Sequence, residues 1–394
     1  MHLALLSRHA TWSLLLSLAV ACGDDDATGT DGGVDASADS EVSEDSDVPD
    51  SDRDAGQSNF AEGPSRGASI AASEDGLILA AANAATDDVT FFDREALTER
   101  ARVSVGNEPT TVVFHPAGDR AYVVNRGAGT VSEIQGADTD SPSVGSTFDL
   151  GGELVNAALS PGGSTLYVAD WTGGRLHVVN TASGDATEVA IGGAPYAVCV
   201  TNDGDEEEDD ETVYVTDFYS RPVDGTREAE DGSRQGRVFR LDAAGALQGE
   251  ITLSPIDVTG VEEAIDAANT SAFPNQLYGC AISDTHLHIT SVGASPAPFN
   301  NGTDFRQNVH GLMHAVALDT NAEVPERTVN LSQLVAALDA PKRFVGVPAS
   351  VAFVPGTEFA YIASMNSNSV LRVSFETLPA VAVSPSGASF LEAG

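Results

Sequence analysis

Four histidines stand close together in the second half of the chain, at His286, His288, His310 and His314. His286 and His288 are two residues apart, so their side chains point to the same face of a β-strand. Imidazoles bind transition metals such as Zn²⁺ when several converge on one ion. The sequence therefore offers a candidate metal site, and the alternative is that each histidine has a separate structural role.

A second candidate cation site is the acidic run at residues 202–211, which reads Asn-Asp-Gly-Asp-Glu-Glu-Glu-Asp-Asp-Glu. Carboxylate oxygens are the ligands that Ca²⁺ prefers. The run lacks the fixed ligand spacing of a calcium-binding loop, and a run of like charges is commonly a solvated surface. Both interpretations stay open from the sequence.

Arginines are concentrated around residues 221–240 of a chain that has 19 Lys and Arg against 59 Asp and Glu. Guanidinium groups suit the recognition of carboxylates and phosphates, so a protein or a small anionic ligand is the expected partner. The alternative is that these arginines pair with acidic residues of their own loop. The candidate partner-binding residues are Tyr219, Arg221, Arg227, Arg234, Asn300, Asp304, Arg306, Lys342 and Arg343.

The N-terminus has the pattern of an exported protein. A basic start and a short apolar run lead to Ala19-Val-Ala-Cys22, as in a secretory signal. The ending resembles the bacterial lipoprotein signal, which implies lipidation of Cys22, and Gly23 favours the outer membrane, with cell-surface exposure as a possibility. An ordinary cleaved signal with an incidental cysteine is the alternative. Residues 1–22 are thus the predicted signal peptide, and residues 23–63, rich in Asp, Ser and Gly, are a predicted acidic disordered tether.

Cys199 and Cys280 are the remaining cysteines and a candidate disulfide, because exported proteins form disulfides. Aligning their strands places the two residues one position apart, hence on opposite faces of their sheets. That offset favours the alternative of two small buried hydrophobic residues.

Several functions find no support in the composition. The net charge of −40 disfavours nucleic acid as a partner. The chain contains no Gly-x-Ser-x-Gly, His-Glu-x-x-His or phosphate-loop motif, and no Cys-x-x-Cys-His for c-type haem. No cofactor is therefore predicted, and the protein is more simply a binding protein than an enzyme.

The elements that must position these residues come from a repeat. Ala121-Tyr-Val-Val-Asn125 returns as Leu166-Tyr-Val-Ala-Asp170, Val213-Tyr-Val-Thr-Asp217 and Ala360-Tyr-Ile-Ala-Ser364. The period of about 45 residues between the first copies, with short alternating strands, is typical of a β-propeller. The fold class is therefore all-β: residues 64–394 form a propeller of four-stranded antiparallel blades. Six blades are legible: either six close the propeller, or a seventh is incomplete or missing.

Blades four and five carry long insertions, at residues 219–236, 254–273, 293–310 and 332–347. In a four-stranded blade, the connection between the second and third strands and the connection to the next blade emerge on the same face. All four insertions are therefore predicted to crowd that face, where binding sites commonly collect.

Ser160-Pro-Gly-Gly163 with Leu166-Tyr-Val-Ala-Asp170 resembles the YVTN-type β-propeller repeat of bacteria. The resemblance implies the fold and leaves the function open. The leading hypothesis is a surface-tethered propeller lipoprotein that binds a partner through the insertions of blades four and five. Two alternatives remain: the propeller module of a cytochrome- or peroxidase-type redox protein, and a lactonase-like hydrolase.

Overall fold

The computed structural model describes residue 61 and residues 63–228, 230–259, 271–296, 308–336, 345–378, 380–382 and 390–392. The described chain is nearly all β and forms six antiparallel blades arranged as a propeller, as predicted. In the described residues, no helix is long and apolar enough to cross a membrane.

The first three blades follow a short strand, β1 (Ser65–Arg66), and each is a four-stranded sheet in chain order. Blade one contains β2 (Ile70–Ala72), β3 (Ile78–Asn83), β4 (Asp88–Asp93) and β5 (Glu99–Ser104). Blade two contains β6 (Pro109–Phe114), β7 (Arg120–Asn125), β8 (Thr130–Gln135) and β9 (Ser143–Asp149). Blade three contains β10 (Leu154–Leu159), β11 (Thr165–Asp170), β12 (Arg175–Asn180) and β13 (Ala186–Ala190).

The last three blades have longer or interrupted strands. Blade four contains β14 (Pro195–Val200), β15 (Thr212–Pro222), β16 (Arg234–Asp242) and β17 (Leu247–Leu253). Blade five contains β18 (Phe273–Ile282), β19 (His286–Ala294), β20 (Val309–Ala317), and an outer edge made of β21 (Ala322–Glu323) and β22 (Val329–Asn330), followed by helix α1 (Leu331–Ala336). Blade six contains β23 (Pro348–Phe353), β24 (Phe359–Ser364), β25 (Ser369–Ser374), and an outer edge made of β26 (Val381–Ala382) and β27 (Phe390–Glu392).

The predicted insertions are partly regular structure. Residues 219–222 continue β15 and residues 234–236 begin β16, where Pro222 pairs with Arg234. The insertion of blade four is therefore an extended hairpin with a loop at 223–233, and not a loop throughout. Residues 260–270, 297–307 and 337–344, which belong to the other three insertions, lie outside the described residues.

Blades pack face to face through the tyrosine of the repeat. Tyr122 is fully buried in a cluster with Leu159, Leu166 and Val168 of the next blade. Tyr167 is likewise buried against blade four, and its hydroxyl donates a hydrogen bond to the Ala243 carbonyl at 2.7 Å. A short strand buries its apolar face only against a neighbour, so these rings stabilise the stack of blades.

The Asx residue at the end of a Tyr-Val strand binds the backbone of the connection that enters the same blade. Asp170 is buried, and its Oδ1 accepts hydrogen bonds from the backbone N–H groups of Glu153 and Gly173 at 3.0 Å. Asp217 accepts in the same way from the N–H of Ala194 at 2.8 Å. The Asx residue of the repeat therefore joins the connection that enters its blade to the turn after its second strand.

The segment at residues 61–68, which we call the strap, precedes blade one. The N–H of Ala61 donates to the Pro161 carbonyl at 2.7 Å, and the side-chain amide of Asn202 donates to the Ala61 carbonyl at 2.7 Å. Pro161 and Asn202 lie in turns between first and second strands, on the face opposite the insertions. The strap thus begins on that face.

The strap then follows the inner strands of three blades. β1 pairs with β14 through Ser65–Val200 and Arg66–Cys199, the side-chain amide of Asn156 donates to the Gly67 carbonyl at 3.1 Å, and Ala68 forms a bridge with Val112. Innermost strands have an unpaired edge that faces the central channel. The strap pairs with those edges and therefore occupies part of the channel along blades four, three and two.

Candidate ligand-binding face

The two kinds of connection that carry the predicted insertions can be located in blade two, where both are described. The N–H groups of Leu150 and Gly151, in the connection from blade two to blade three, both donate to the carbonyl of Gly129, in the turn after the second strand of blade two. These two kinds of connection therefore meet on one side of the propeller, which we call the loop face.

Five aromatic side chains form a continuous patch on the loop face, across blades three, four and five. We call them the aromatic patch: Trp171, Tyr196, Phe218, Tyr219 and Tyr278. Phe218 is buried at the centre, and its ring centroid lies 4.6 Å from that of Tyr196, 4.9 Å from Tyr219, 5.1 Å from Tyr278 and 5.2 Å from Trp171. The rings touch one another, so the patch is a platform and not a cage around an enclosed ligand.

Local backbone geometry aims two of these rings. In blades four and five, the register between the first and second strands shifts beside a tyrosine. These tyrosines are Tyr196 in β14 and Tyr278 in β18. Such bulges re-aim a side chain and are common next to functional sites. Thr110 and Ala349 sit at the same kind of shift in blades two and six. Only blades four and five place a tyrosine at this position, as Tyr196 and Tyr278.

The polar groups of the patch are available to a ligand. Among the residues that the structure describes, none hydrogen-bonds the hydroxyls of Tyr196, Tyr219 or Tyr278, or the indole N–H of Trp171. Tyr219 is 49 % exposed. Burial, and next the nearby Tyr278, raises the pKa of Tyr196, which therefore remains a hydrogen-bond donor at neutral pH.

The edge of the patch is charged. The guanidinium of Arg126 lies 5.2 Å from the ring centroid of Trp171 and pairs with Glu153 and, at 3.7 Å, with Glu108. Aromatic rings with an arginine at their edge are typical of the residues that contribute most to binding at protein interfaces. Of these five residues, Tyr219 alone was predicted from the sequence. The signal for two others is the aromatic residue directly after the Asx of the repeat, in Asp170-Trp171 and Asp217-Phe218.

Two of the arginines that were predicted to bind a partner form ion pairs within blade four. Arg221 and Arg237 both pair with the buried Asp217, at 2.8 and 2.9 Å, and Arg234 pairs with Glu228 at 3.6 Å. Arg221 and Arg234 belong to strands and not to loops. They thus hold the extended hairpin of blade four: Arg234 pairs within the insertion, whereas Arg221 pairs with Asp217, which precedes the insertion. Arg227 is exposed.

Five of the predicted binding residues cannot be placed. Asn300, Asp304, Arg306, Lys342 and Arg343 lie outside the described residues, as does Cys22.

The four candidate metal-binding histidines do not converge on one point in the structure. His314 pairs with Ile289, on the face toward blade four, whereas His288 packs 4.4 Å from Phe353 of blade six, measured between ring centroids. His310 lies beside Asn330, with 3.3 Å between Nδ1 and the amide nitrogen. The strand pairing places His310 with His314, and His286 with His288, on opposite faces of blade five.

In the acidic run, carboxylate oxygens of Asp203, Asp205 and Asp210 lie within 4.8 Å of one another, and all three residues are exposed. This spacing is compatible with a hard cation such as Ca²⁺. Exposed acidic groups also gather without a metal, so the two interpretations from the sequence both stand.

Cys199 and Cys280 form a disulfide, with their Cα atoms 6.2 Å apart. The expectation that opposite faces would keep the two cysteines apart was wrong, and the reason is geometric. Neighbouring blades pack face to face, so a residue on the front of blade four meets one on the back of blade five. Both cysteines accordingly belong to the apolar cluster between these blades.

A cleft of about 300 Å³ lies on the outer side of blade five, between residues 254–258 and the outer strands β21 and β22. Glu323 lines it. Burial acts to raise the pKa of Glu323, but the hydrogen bond to His314, with 3.0 Å between Oε1 and Nδ1, prevails and lowers the pKa. The cleft is thus lined by a partly buried carboxylate that His314 of the same blade holds in place.

Comparisons with known proteins agree with the fold. A family model described as "Lactonase, 7-bladed beta-propeller" matches residues 93–192. No curated protein matches the chain. Solved structures with a similar fold include hydrazine synthase of Kuenenia stuttgartiensis, at 14 % identity and TM-score 0.56, covering 82 % of this chain and 80 % of that one.

Two further similar structures are U3-55K, at 12 % identity and TM-score 0.51, covering 80 % of this chain and 81 % of that one, and a putative 6-phosphogluconolactonase from Bacteroides uniformis, at 15 % identity and TM-score 0.49, covering 79 % and 82 %. At such identities the likeness to hydrazine synthase and to U3-55K, the two structures with TM-scores above 0.5, establishes the fold alone. The class of protein is therefore a β-propeller.

Proposed function

We propose that this protein is a binding module whose partner protein docks on the aromatic patch of the loop face. The observation that carries the proposal is the set of five contacting aromatic rings, with Phe218 buried at the centre and Tyr219 half exposed at the rim. Rigid aromatic side chains supply large contact areas at a small entropic cost, and their unpaired hydroxyl and indole groups give a partner hydrogen bonds.

A pull-down from cell-envelope extract tests the proposal. Trp171→Ala with Tyr219→Ala should weaken partner capture by about 2 kcal/mol or more, as for residues that dominate an interface. The matched control is Leu77→Ala with Leu97→Ala, which truncates side chains of 45 % and 65 % exposure in turns on the opposite face. Equal capture by both double variants, each shown to melt like the wild type, would contradict the proposal.

The same proposal includes export and anchoring as a YVTN-type lipoprotein of the outer membrane. It rests on the signal pattern ending at Cys22 and on the acidic segment that follows. The lipid chains of the proposed anchor are attached at Cys22, and more than one chain anchors a protein far more firmly than a single chain. Cys22→Ser should therefore release the protein into the soluble periplasmic fraction. Retention of this variant in the membrane pellet would argue against the anchor.

A lactonase-like hydrolase is the second candidate, favoured by the family-model match over residues 93–192. Assay of the purified protein with δ-lactones tests it, and hydrolysis no faster than the buffer blank would reject it. The third candidate, a module of a cytochrome- or peroxidase-type redox protein, remains a prediction, because the likeness to hydrazine synthase is one of fold.

A further inference from the structure

The cleft on the outer side of blade five lies where the outer edge of that blade is interrupted. In blades one to four the fourth strand is continuous, whereas in blade five β21 and β22 are separated by a turn of 3₁₀-helix (Pro325–Arg327). Residues 254–258 form the opposite wall, where Ile256 is fixed by two backbone hydrogen bonds with Ala272, at 2.8 and 3.0 Å. The volume of about 300 Å³ is at the lower end of the range for small-molecule sites.

The polar part of the cleft is negative. Among the residues that the structure describes, the lining contains two carboxylates, those of Glu323 and Asp257, and no Lys, Arg or His. The guanidinium of Arg327, next to the cleft in sequence, instead pairs with Glu358 and lies 5.4 Å from the ring centroid of Phe375. The charge of the two lining carboxylates is therefore not matched by a cation of the lining.

The carboxylate of Glu323 is held in place and can still accept hydrogen bonds. Its side chain is 10 % exposed, and despite this burial the hydrogen bond with His314 keeps the pKa below its ordinary value. Oε1 lies 3.0 Å from Nδ1 of His314, and Oε2 accepts a hydrogen bond from the N–H of Ser254 at 2.8 Å. Each carboxylate oxygen has two lone pairs, so each can accept a further bond from a ligand.

A hydroxyl group of the same lining has no partner. Oγ1 of Thr328 is shielded from solvent, and no described residue forms a hydrogen bond with it. A shielded polar group costs free energy when it is left unpaired. A donor that enters the cleft would remove this cost.

The rest of the lining is largely apolar. Val258 is 52 % exposed, and Ile256, Pro325 and Leu334 line the cleft with it. A ligand that fits must therefore combine a positive group that donates hydrogen bonds with an apolar body.

We propose that this cleft binds a primary alkylammonium ion, with the ammonium group on the carboxylates of Glu323 and Asp257 and the alkyl chain on the apolar wall. An ammonium group has three N–H donors and no acceptor, which suits two carboxylates and the Thr328 hydroxyl. A free amine and the side chain of a lysine share this chemistry. The cleft and the aromatic patch have no residue in common, so the proposal does not rest on the proposed function.

Titration followed by saturation-transfer NMR measures the dissociation constant of n-butylammonium chloride. n-Butanol has the same chain without the charge, and it should bind at least about tenfold more weakly, because hydrogen bonds with charged groups are the stronger ones. Nα-acetyl-lysine amide forms the third arm. Binding of this compound as tight as that of n-butylammonium identifies a lysine side chain as the occupant, and binding of n-butylammonium alone identifies a free amine. Equal binding of n-butanol and n-butylammonium would overturn the proposal.

Charge variants locate the amine. Glu323→Gln should raise the dissociation constant of n-butylammonium by about tenfold, and Asp257→Asn, at an exposed position, by about threefold. The matched control is Asp224→Asn, which removes the same charge from an exposed position on the blade-four hairpin and should leave the constant unchanged. An unchanged constant in both cleft variants, or a loss with Asp224→Asn as large as with Asp257→Asn, would mean that only the overall negative charge attracts the amine.

Thr328→Val separates binding from folding. Valine keeps the shape of the side chain and removes the unpaired hydroxyl, so the melting temperature of the free protein should not fall. The dissociation constant of n-butylammonium should nevertheless rise, because one acceptor is lost. A lower melting temperature with an unchanged dissociation constant would contradict the assignment of this hydroxyl to the ligand.

Discussion

The middle of each second strand shows how one position serves different ends. Tyr122, Tyr167 and Tyr214 fill the space before the next blade, whereas blade five has His288 there. His288 is fully buried against Phe353 and Phe375. In blades two to five this position is therefore filled by a large, flat, buried ring, and imidazole can take that place while it is neutral.

Truncation of a repeat tyrosine should be costly. Tyr167→Ala should lower the free energy of unfolding by ~3–5 kcal/mol, because it opens a cavity between blades three and four. Tyr219→Ala removes a ring of the same size from a half-exposed site, and it should cost less than about 1 kcal/mol. Urea denaturation of both variants measures the difference. Equal losses would contradict the assigned packing.

His288 should make stability depend on pH. Burial, then Arg327 and His286, lowers its pKa well below the ordinary value. The unfolded state therefore binds a proton that the native state does not. The contribution is present above the unfolded pKa of about 6.5 and is lost as pH falls below it, by at most about 1.4 kcal/mol per pH unit.

His288→Phe should accordingly flatten the decline of the melting temperature between pH 7 and pH 5. His286→Gln, on the same strand but only partly buried, is the control and should flatten it less. A decline as steep in His288→Phe as in the wild type would place the acid sensitivity elsewhere, with His115 and His177 as the next candidates, since burial lowers the pKa of both.

At the scale of elements, the strap is the least expected feature. Its residues carry no repeat motif, and its partners, in β6, β10 and β14, lie far along the chain. Strand alternation and turn residues are local signals, and they predicted the blades and the loop face. They hold no information on which free edge a separate segment joins.

The same limit explains the aromatic patch and the disulfide. Trp171 and Tyr278 are far apart in sequence, and only the stacking of successive blades brings their strands together around Phe218. For Cys199 and Cys280, the predicted offset was right, and its meaning depended on which faces of neighbouring blades meet. Local patterns placed each residue within its blade, and contacts between blades decided its role.

The strap predicts a sharp difference between two glycines. A Cβ at Gly67 would lie 2.1 Å from the Ala157 carbonyl oxygen and 2.5 Å from Cγ2 of Thr111, whereas a Cβ at Gly63 meets nothing within 4 Å. Gly67→Ala should therefore destabilise the protein by ~1–3 kcal/mol through overpacking, and Gly63→Ala should leave it nearly unchanged. Thermal unfolding of the two variants measures this difference. Indistinguishable unfolding midpoints would mean that the strap does not fill the channel.

The whole molecule is held together by packing between successive blades and by a disulfide between two of them, which we call the staple. Apolar clusters join each blade to the next from blade one to blade six, and the disulfide links blades four and five across 81 residues. This staple lies beneath the aromatic patch, which covers the same two blades and the edge of blade three. The aromatic patch is thus fixed covalently as well as by packing.

Loss of the staple should be measurable. Cys199→Ala with Cys280→Ala should lower the free energy of unfolding by about 4 kcal/mol, from the loop-closure entropy that the cross-link removes from the unfolded state. Dithiothreitol should lower the melting temperature of the wild type and leave that of the double variant unchanged. A reductant effect of equal size on both proteins would contradict a role for this disulfide.

We propose that this protein meets its partner on the loop face, at the aromatic patch. Site-specific photo-crosslinking in the cells that produce it tests this directly, with p-benzoylphenylalanine at position 219 on the patch or at position 97 on the opposite face. A discrete adduct from position 219, absent from position 97 and lost when Trp171→Ala is added, is the predicted result. Adducts from position 97 alone, or adducts from position 219 that persist with Trp171→Ala, would contradict it.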